Sequence, residues 1–500
     1  MSDKLKILLL YPNLMMKNLL SPAIGILTAC LRERGFEVGL FDTTYYLTGT
    51  ENPDEIRKEY LQVRTYDACD YGITVKNTDV LDDFKKKVNE FRPDIIGVSV
   101  VEDTMPLALR LIGALGSDRP KTIFGGIYIS YLKERAFEHK EVDIICLGEG
   151  EEAIVELCER LQKKEDYGDI KNLCFRDGDR IITNNLRPLV NLDALPIPDY
   201  SLFEEKRFYS PMQGRMRRMA PLDFDRGCPY NCNFCASPAY REWYKKQNGQ
   251  NYFRKKKVDK IIEEARELAR RHNLEYFYFN SDTFFTLKDD VFDTLLLRIK
   301  DEIGLPFWCQ TRVETINAHK IKLLKECGCD RITIGLEHGN EDFREKVVGK
   351  KFTNKQFLNA VEVINEAGLP LSVNNIIGFP YETRELIFDT IELNKKAKSD
   401  SASVFILYPY TGTRIYDFCV EKDLIDRSVK DGTLLHNSII RNNSLSREHL
   451  NRLLKTFCLY VKFPEERWSD IKKVEAGAPG SEEIFKKLSG EYQKEYFKAP

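Results

Sequence analysis

Short apolar runs alternate with amphipathic stretches along the first third of the chain. Each amphipathic stretch places apolar residues on one face at helical spacing, as Ile24, Leu27 and Leu31 do after the helix-start pair Ser21-Pro22. Five apolar runs read as buried strands: residues 5–10, 38–41, 95–101, 122–124 and 142–146. This succession of strand–helix units predicts an α/β fold for residues 1–165, with a doubly wound parallel sheet.

Ligands of such sheets bind beyond the carboxyl ends of the strands. In this chain the loops at that edge are residues 11–20, 42–44, 101–104, 125–129 and 148–150. The glycines in the last two loops let a ligand approach the backbone closely, because they carry no Cβ. No G-x-G-x-x-G follows the first strand, which argues against dinucleotide binding.

The alternation resumes after a proline-containing connecting segment, residues 166–205. Six apolar runs predict further strands: residues 222–224, 276–279, 306–310, 331–335, 371–377 and 403–407. Helical patterns separate them, so residues 206–425 are expected to form a partial (β/α)6 barrel with its site at the carboxyl ends of the strands. Residues 426–500 are charged and helical and are expected to form a C-terminal cap.

Composition narrows the class of protein. With 42% hydrophobic and 31% charged residues, the chain of 500 residues can bury several cores. The net charge of −2 gives no general attraction to nucleic acid or to anionic membranes. The sequence has no apolar run near the roughly eighteen residues of a membrane span, and no signal-peptide pattern. Scattered unpaired cysteines fit a reducing compartment, so the expected location is the cytoplasm.

Three of the 13 cysteines, Cys228, Cys232 and Cys235, stand close together. Three thiolates from one loop can hold a soft metal centre and leave one coordination position free for a reacting ligand. A structural zinc site would need a fourth Cys or His, and the sequence has none within about thirty residues on either side. The other cysteines are scattered in mostly apolar runs and are expected to be small buried side chains.

This spacing, with Phe234 before the last cysteine, resembles the signature of radical S-adenosylmethionine (SAM) enzymes. The resemblance implies that the three thiolates hold a 4Fe–4S cluster and that SAM chelates the fourth iron through its amino and carboxylate groups. It also implies that an electron from the cluster cleaves SAM to a 5′-deoxyadenosyl radical, which abstracts a substrate hydrogen. A one-electron donor such as flavodoxin or ferredoxin is then an expected partner.

The resemblance further implies a set of SAM contacts at the ends of successive predicted strands. The second strand end would meet the amino group, the third the carboxylate and the fourth the ribose, while the fifth and sixth would flank the adenine. In chain order the implied residues are Phe234, Ser281, Asp282, Gln310, Arg312, Glu337, Ile376, Gly378 and Tyr408. The family's usual Gly-Gly-Glu after the second strand is absent.

The first domain, placed before this cysteine motif, resembles the cobalamin-binding domain of cobalamin-dependent radical SAM enzymes. The matching pieces are residues 21–27, 93–99, 125–126 and 147–151. The implied cobalamin contacts are Ser99, Val101, Glu102, Thr104, Gly125, Gly126, Tyr128, Gly148, Glu149 and Gly150. The Asp-x-His-x-x-Gly of many cobalamin proteins is absent, since no histidine precedes His139, so the cobalt is expected to lack that ligand.

Together these features resemble the broad anaerobic cyclase and methyltransferase branch of the family. They imply methylation of an unactivated carbon: the radical removes a hydrogen, the substrate takes a methyl group from methylcobalamin, and another SAM remethylates the cobalt. Oxidative cyclisation or rearrangement with the same cofactors is an alternative, as is a radical SAM enzyme whose first domain is empty. A small molecule, a lipid or a peptide fits as substrate. A non-catalytic metal- or nucleic-acid-binding module is disfavoured by the near-neutral charge and the single cysteine triplet.

Overall fold

The computed structural model describes residues 4–49, 52–429, 432–442 and 444–497. Its N-terminal sheet consists of β1 (Lys6–Tyr11), β2 (Glu37–Asp42), β3 (Ile95–Ser99), β4 (Lys121–Gly125), β5 (Ile144–Cys146), β6 (Leu173–Asp177) and β7 (Arg180–Thr183). The strand order is β2-β1-β3-β4-β5-β6-β7, and β1 to β5 are parallel. Each of the five predicted strands is therefore present, in the predicted parallel sheet.

Helices cover both faces of this sheet. They are α1 (Pro22–Glu33), α2 (Pro53–Glu59), α3 (Val80–Phe91), α4 (Met105–Gly113), α5 (Ile127–Leu132) and α6 (Glu151–Lys163). Along β1, Ile7 and Leu9 face the core under α1 and α6, whereas Leu8 and Leu10 face the core under α3 and α4. Successive strand residues point to opposite faces, so an all-apolar strand needs a helical layer on each side, and the doubly wound arrangement is confirmed.

The connecting segment contributes to the same sheet. Within residues 166–205, β6 pairs antiparallel with β5, and β7 forms a hairpin with β6. Three of the four residues of β7 are exposed, so this edge strand has no continuous apolar run that the sequence could reveal.

A second sheet forms the half-barrel. Its region contains β8 (Tyr209–Met212), β9 (Arg215–Leu222), β10 (Asp225–Arg226), β11 (Arg254–Lys255), β12 (Tyr276–Phe279), β13 (Phe307–Thr311), β14 (Cys329–Glu337), β15 (Leu371–Ile377) and β16 (Ser401–Ile406). Among the described residues, the sheet runs in the order β16-β15-β14-β13-β12-β9-β8, and β9 and β12 to β16 are parallel. The partial barrel is thus confirmed.

The first barrel strand is longer and earlier than predicted. Residues 222–224 were expected to form it, but β9 ends at Leu222, and its first half is the basic run that starts at Arg215. Arg218 lies in this run, and its guanidinium pairs with Glu205 and donates to the backbone oxygen of His272. Because these charged residues have their partners outside the barrel, the first half of the strand contains no apolar run that would predict it from the sequence.

Helices surround the barrel and follow it. They are α7 (Ala236–Asn248), α8 (Val258–His272), α9 (Asp289–Arg298), α10 (Ala318–Glu326), α11 (Glu341–Phe343), α12 (Asn354–Glu366), α13 (Arg384–Ala397), α14 (Arg414–Glu421), α15 (Arg447–Lys462), α16 (Trp468–Ala476) and α17 (Ser481–Tyr496). The C-terminal helix α15 packs against α13 and the outer face of β16. In the described part of the chain, every helix is too short or too polar to cross a bilayer.

Candidate active site

The three motif cysteines lie on the loop between β10 and α7, after the carboxyl end of β9. Cys235 is the N-cap residue of α7, and the amide of Ser237 donates to its Sγ at 3.5 Å. Burial raises the pKa of the Cys235 thiol to about 12 and also raises the pKa of Cys228. Because burial disfavours a free thiolate, deprotonated sulfur at these positions needs a metal cation as its counter-charge.

The cysteine loop is anchored to the segment that follows β14. The backbone amide of Asn233 donates to the carbonyl of Val348 at 2.9 Å, and its side-chain amide donates to the carbonyl of Val347 at 3.0 Å. Gly349 has φ +81°, and a Cβ there would lie 2.9 Å from the carbonyl oxygen of Asn231. A glycine is therefore needed at this close approach, and it lets the barrel hold the cysteine loop in place.

In the described part of the chain, no three His, Cys, Asp or Glu side chains form a group suited to one metal ion. The cysteines of a cubic cluster bind different iron atoms, so their sulfurs need not converge on one point. The fit to a cluster rests instead on the donor set. Three cysteines share one loop, and burial disfavours a free thiolate at two of them.

The predicted SAM residues of the second and third strand ends come together beside this loop. Gln310 Nε2 donates to the backbone oxygen of Ser281 at 3.1 Å. The hydroxyl of Ser281 donates to Asp225 at 2.6 Å, and the hydroxyl of Ser237 donates to Asp282 at 2.6 Å. These contacts connect the ends of β12 and β13 to both sides of the cysteine loop.

Glu337 closes β14 in an unusual backbone conformation. Its φ is +63°, which an L-residue adopts only at a cost, and its side chain is buried. The ammonium of Lys350 pairs with its carboxylate at 2.9 Å and donates to the carbonyl of Gly335 at 2.8 Å. Lys350 thus fixes the carboxylate that is predicted to meet the ribose. No pattern in the sequence marks Lys350.

Phe234 and the residues predicted around the adenine lie in and near one apolar cluster. Phe234 and Ile376 pack against the same buried group, which includes Leu407. Tyr408 lies one residue further, and its ring centre is 4.8 Å from that of Tyr410.

Gly378 follows β15 with φ +83°, and its amide donates to the carboxylate of Glu382. Glu382 also accepts from the amide of Phe379 at 3.0 Å and lies 3.1 Å from Nε2 of His338. Both members of the His338–Glu382 pair are fully buried. The loop after β15 is therefore tied to the end of β14 through a pair that sequence patterns did not reveal.

A cavity of about 630 Å³ separates the first domain from the barrel. On the first-domain side it is lined by loops at the carboxyl edge of the sheet, and on the barrel side by the cysteine loop and the end of β12. Six of the ten predicted cobalamin contacts line it: Ser99, Gly125, Gly126, Gly148, Glu149 and Gly150. From the barrel side Cys235, Ser237 and Asp282 line the same cavity.

The glycines give this cavity a floor that a bulky ligand can approach. A Cβ on Gly126 would lie 2.1 Å from the carbonyl oxygen of Val100, and one on Gly148 would lie 2.2 Å from the hydroxyl of Tyr244, so packing within the protein requires these two glycines. A Cβ on Gly125 would meet only Cys146, at 3.9 Å, so it would project into the cavity itself. Among the described residues that line the cavity, none is a histidine. The floor fits a flat cofactor whose metal takes no imidazole from it.

The other four predicted cobalamin contacts, Val101, Glu102, Thr104 and Tyr128, are not among the described residues that line this cavity. Glu102 instead accepts hydrogen bonds from the amide and the hydroxyl of Thr411, at 2.8 and 2.9 Å. It therefore joins the first domain to the loop after β16. Val101 is 47% exposed.

Glu149 lies at the centre of an ion cluster that no sequence pattern reveals. Its carboxylate pairs with Arg226, just before the cysteine motif, at 2.7 Å, and also with Arg254. Burial opposes ionisation of Glu149, but the two guanidinium groups outweigh it and hold the pKa of this carboxyl below its usual value. Arg226 also pairs with Glu151. The loop after β5 in the first domain is thus bound directly to the segment that leads into the cysteine loop.

Residues 223–393 match the radical SAM superfamily, and residues 21–158 match the B12 binding domain. An uncharacterized methyltransferase of Pyrococcus horikoshii is 31% identical over 389 residues, which cover 76% of this chain and 81% of that protein. The anaerobic magnesium-protoporphyrin IX monomethyl ester cyclase of Rubrivivax gelatinosus is 23% identical over 340 residues, which cover 66% of this chain and 59% of that protein.

Among solved structures, the radical SAM methyltransferase TsrM of Kitasatospora setae, with cobalamin and a [4Fe-4S] cluster bound, aligns with a TM-score of 0.65. The alignment covers 98% of this chain and 100% of that chain at 16% identity, so it shows a common fold. The two domain matches and the long match to the Pyrococcus protein show the family and its cofactors. The chain belongs to the cobalamin-dependent radical SAM enzymes, which use a 4Fe–4S cluster, SAM and cobalamin.

Proposed function

We propose that this enzyme methylates an unactivated carbon of its substrate, and that the reacting carbon lies in or next to the cavity between the domains. The observation that carries the proposal is the shared lining of that cavity. Gly125 and Gly150 belong to the B12 binding domain, Cys235 and Asp282 to the radical SAM domain, and all four face the same space. One substrate carbon can therefore reach both cofactors without a large domain movement.

When bound, the three cofactors together supply a radical that removes hydrogen and a methyl group that replaces it. The part played by the chain is positioning. Cys228, Cys232 and Cys235 hold the cluster, and Ser281 and Asp282 hold the amino end of SAM next to it. The glycine floor of the first domain receives the corrinoid.

The ion cluster around Glu149 fixes the position of the first domain's glycine floor relative to the cysteine loop. Its carboxylate belongs to the loop after β5, and its partner Arg226 lies two residues before Cys228. Tyr244 adds a second connection, because its hydroxyl accepts from the amide of Glu149 at 2.8 Å. The Tyr244 and Tyr252 rings stack with centres 5.1 Å apart, and Tyr252 also lines the cavity. Such an aromatic wall keeps water from the reacting groups.

The experiment uses anaerobic protein loaded with cluster and cobalamin, a chemical reductant, and SAM with a deuterated methyl group. We expect the label in the corrinoid fraction together with released S-adenosylhomocysteine, and 5′-deoxyadenosine as a second product. The matched control is Cys235→Ala, which should release no 5′-deoxyadenosine. Release of 5′-deoxyadenosine with no label transfer and no S-adenosylhomocysteine would refute the methyltransferase proposal.

Oxidative cyclisation is the second candidate, favoured by the match to the Rubrivivax cyclase over 66% of this chain. A cyclase would need the same cluster and SAM but would not consume a methyl group. The labelling experiment separates the two, because only methyl transfer produces S-adenosylhomocysteine. A flavodoxin or ferredoxin is proposed as the physiological electron donor in either case.

A further inference from the structure

A second cavity, of about 400 Å³, lies inside the half-barrel. The inward side chains of β12 to β16 form its wall, and the β8–β9 hairpin and two first-domain segments close it. Its wall is largely polar and aromatic and includes Tyr278, Trp308, Gln310, Arg331, Ser372 and Ser401. A barrel interior meant only for packing would be filled with branched apolar side chains. This one is therefore built to hold a ligand with polar groups.

Several hydrogen-bond donors in this wall have no acceptor. Arg331 Nε, Arg64 Nη1, Arg57 Nε and Gln62 Nε2 are buried, and among the described residues none of them has a hydrogen-bond partner. A buried donor without a partner costs about 1–3 kcal/mol. All four belong to residues that line one cavity and all four are donors, so the side chains of this wall carry spare hydrogen-bond donors.

The charge of the wall indicates that the ligand is an anion. Arg331 is 9% exposed, and its Nη1 donates to the hydroxyls of Ser372 and Ser401 at 2.7 and 3.2 Å. Burial lowers the pKa of Arg331, and the charges of the nearby Asp400 and Asp330 do not outweigh this effect. The wall contains four cationic side chains and two carboxylates. The cations are Lys17, Arg57, Arg64 and Arg331, and the carboxylates are those of Asp54 and Asp400. A buried guanidinium without a counter-ion is unfavourable, so an anion is the expected occupant.

The cavity leads from these arginines towards the SAM residues. Arg331 in β14 pairs in register with Trp308 in β13, and Gln310 is two residues beyond Trp308 along β13. At a rise of about 3.3 Å per residue, Gln310 lies about 7 Å above Arg331. Tyr278, also in the wall, donates its hydroxyl to Asn280 at 3.1 Å, and Asn280 lines the cavity between the domains. The two cavities therefore adjoin at the end of β12.

We propose that the barrel cavity binds an oxyanion of the substrate, a phosphate or a carboxylate, through Arg331 and Arg64. The rest of the substrate extends along Trp308 and Tyr278, whose rings stack 5.2 Å apart, towards Gln310 and the reaction site. Guanidinium groups suit this role because their planar N–H donors match two oxygens of a phosphate or carboxylate. The inference rests on the proposed function, since it assigns the substrate class of that same site.

Isothermal titration calorimetry on cluster-loaded protein tests this, with inorganic phosphate and succinate as probes and sodium chloride at equal ionic strength as the blank. We expect one probe to bind, at least about tenfold more weakly in Arg331→Gln and in Arg64→Gln. Phosphate binding identifies a phosphorylated substrate, and succinate binding a carboxylate. The matched control is Arg180→Gln, whose side chain is 82% exposed on the β6–β7 hairpin, and it should bind as the wild type does.

Circular dichroism establishes that each variant is folded, and Arg331→Lys, which keeps the charge, should recover part of the affinity. The proposal is overturned if neither probe binds the wild type, or if Arg331→Gln and Arg64→Gln bind as tightly as the wild type. The readout does not involve SAM cleavage. A protein that transfers no methyl label but binds phosphate through Arg331 would refute the methyltransferase function and leave the anion site in place.

Discussion

Arg312 donates a hydrogen bond from Nη1 to the Sγ of Cys232 at 2.9 Å. The same guanidinium pairs with Glu314 at 2.6 Å and lies over the ring of Tyr230, 4.0 Å from its centre. Its side chain was predicted to meet the SAM carboxylate. The geometry adds a direct contact with a predicted cluster ligand, and the five donors of a guanidinium can serve both partners.

Replacing this arginine should change the electronic properties of the cluster. A positive charge and a hydrogen bond at a ligand sulfur stabilise the reduced cluster, so Arg312→Gln should lower the reduction potential by tens of millivolts. Electron paramagnetic resonance during an anaerobic redox titration measures this shift. Arg312→Lys keeps the charge and should show a smaller change. An unchanged potential in Arg312→Gln, with full iron content, would contradict the prediction.

Each motif cysteine should be necessary for iron binding, because three ligands already leave one iron without a protein donor. We expect Cys228→Ala, Cys232→Ala and Cys235→Ala to lose most of their iron and sulfide after anaerobic reconstitution. Cys69→Ala is the matched control, since Cys69 is exposed and lies outside the motif, and it should retain a full cluster. Iron and sulfide assays give the answer, and a brown, iron-replete triple variant would remove the basis of the cluster assignment.

Removing the charge of Glu149 should weaken the connection between the domains. Glu149→Gln leaves Arg226 and Arg254 without their carboxylate, and loss of one partner from a buried ion cluster costs about 3–5 kcal/mol. We expect a clear fall in Tm by scanning fluorimetry and weaker retention of cobalamin on gel filtration. Glu152→Gln is the control, because its side chain is 56% exposed. Equal Tm values for the two variants would refute this role.

Asp225, which lines the cavity between the domains, should make stability depend on pH. Burial raises its pKa to about 8, and the nearby carboxylate of Asp282 adds to this. The folded protein therefore keeps a proton that the unfolded chain releases above pH 3.8, so stability is lost as pH rises from there to about 8.

The substitution Asp225→Asn removes this titration while keeping an acceptor for Ser281. Relative to this variant, the wild type should lose about 1.4 kcal/mol per pH unit between roughly pH 5 and 7. Thermal melts across this range measure the effect as a widening Tm difference in favour of Asp225→Asn. Asp179→Asn, an exposed position, should follow the wild type. A Tm difference that does not change with pH would show that Asp225 ionises normally.

Much of the fold was predictable because it depends on short-range periodicity. The βα alternation, the helix start at Ser21-Pro22 and the cysteine spacing are all local patterns. Strand ends follow from the same alternation, so the positions of Ser281, Gln310 and Glu337 at the active edge of the barrel were predictable too. The β6–β7 hairpin and the basic first half of β9 were not, because their residues gain their partners from distant parts of the chain.

The amino-acid sequence by itself determined the cysteine triplet, the order of the strands and helices, and the edge of each sheet at which the predicted site residues lie. Only the tertiary structure decided which charges meet. Glu149 pairs with Arg226, which is 77 positions away in the sequence. Glu102 accepts a hydrogen bond from Thr411, which is 309 positions away. Arg331 and Arg64 likewise face one cavity only because first-domain segments cover this side of the barrel. The energy of a charge depends on its neighbours in space and on its burial, and no periodicity along the chain encodes either of them.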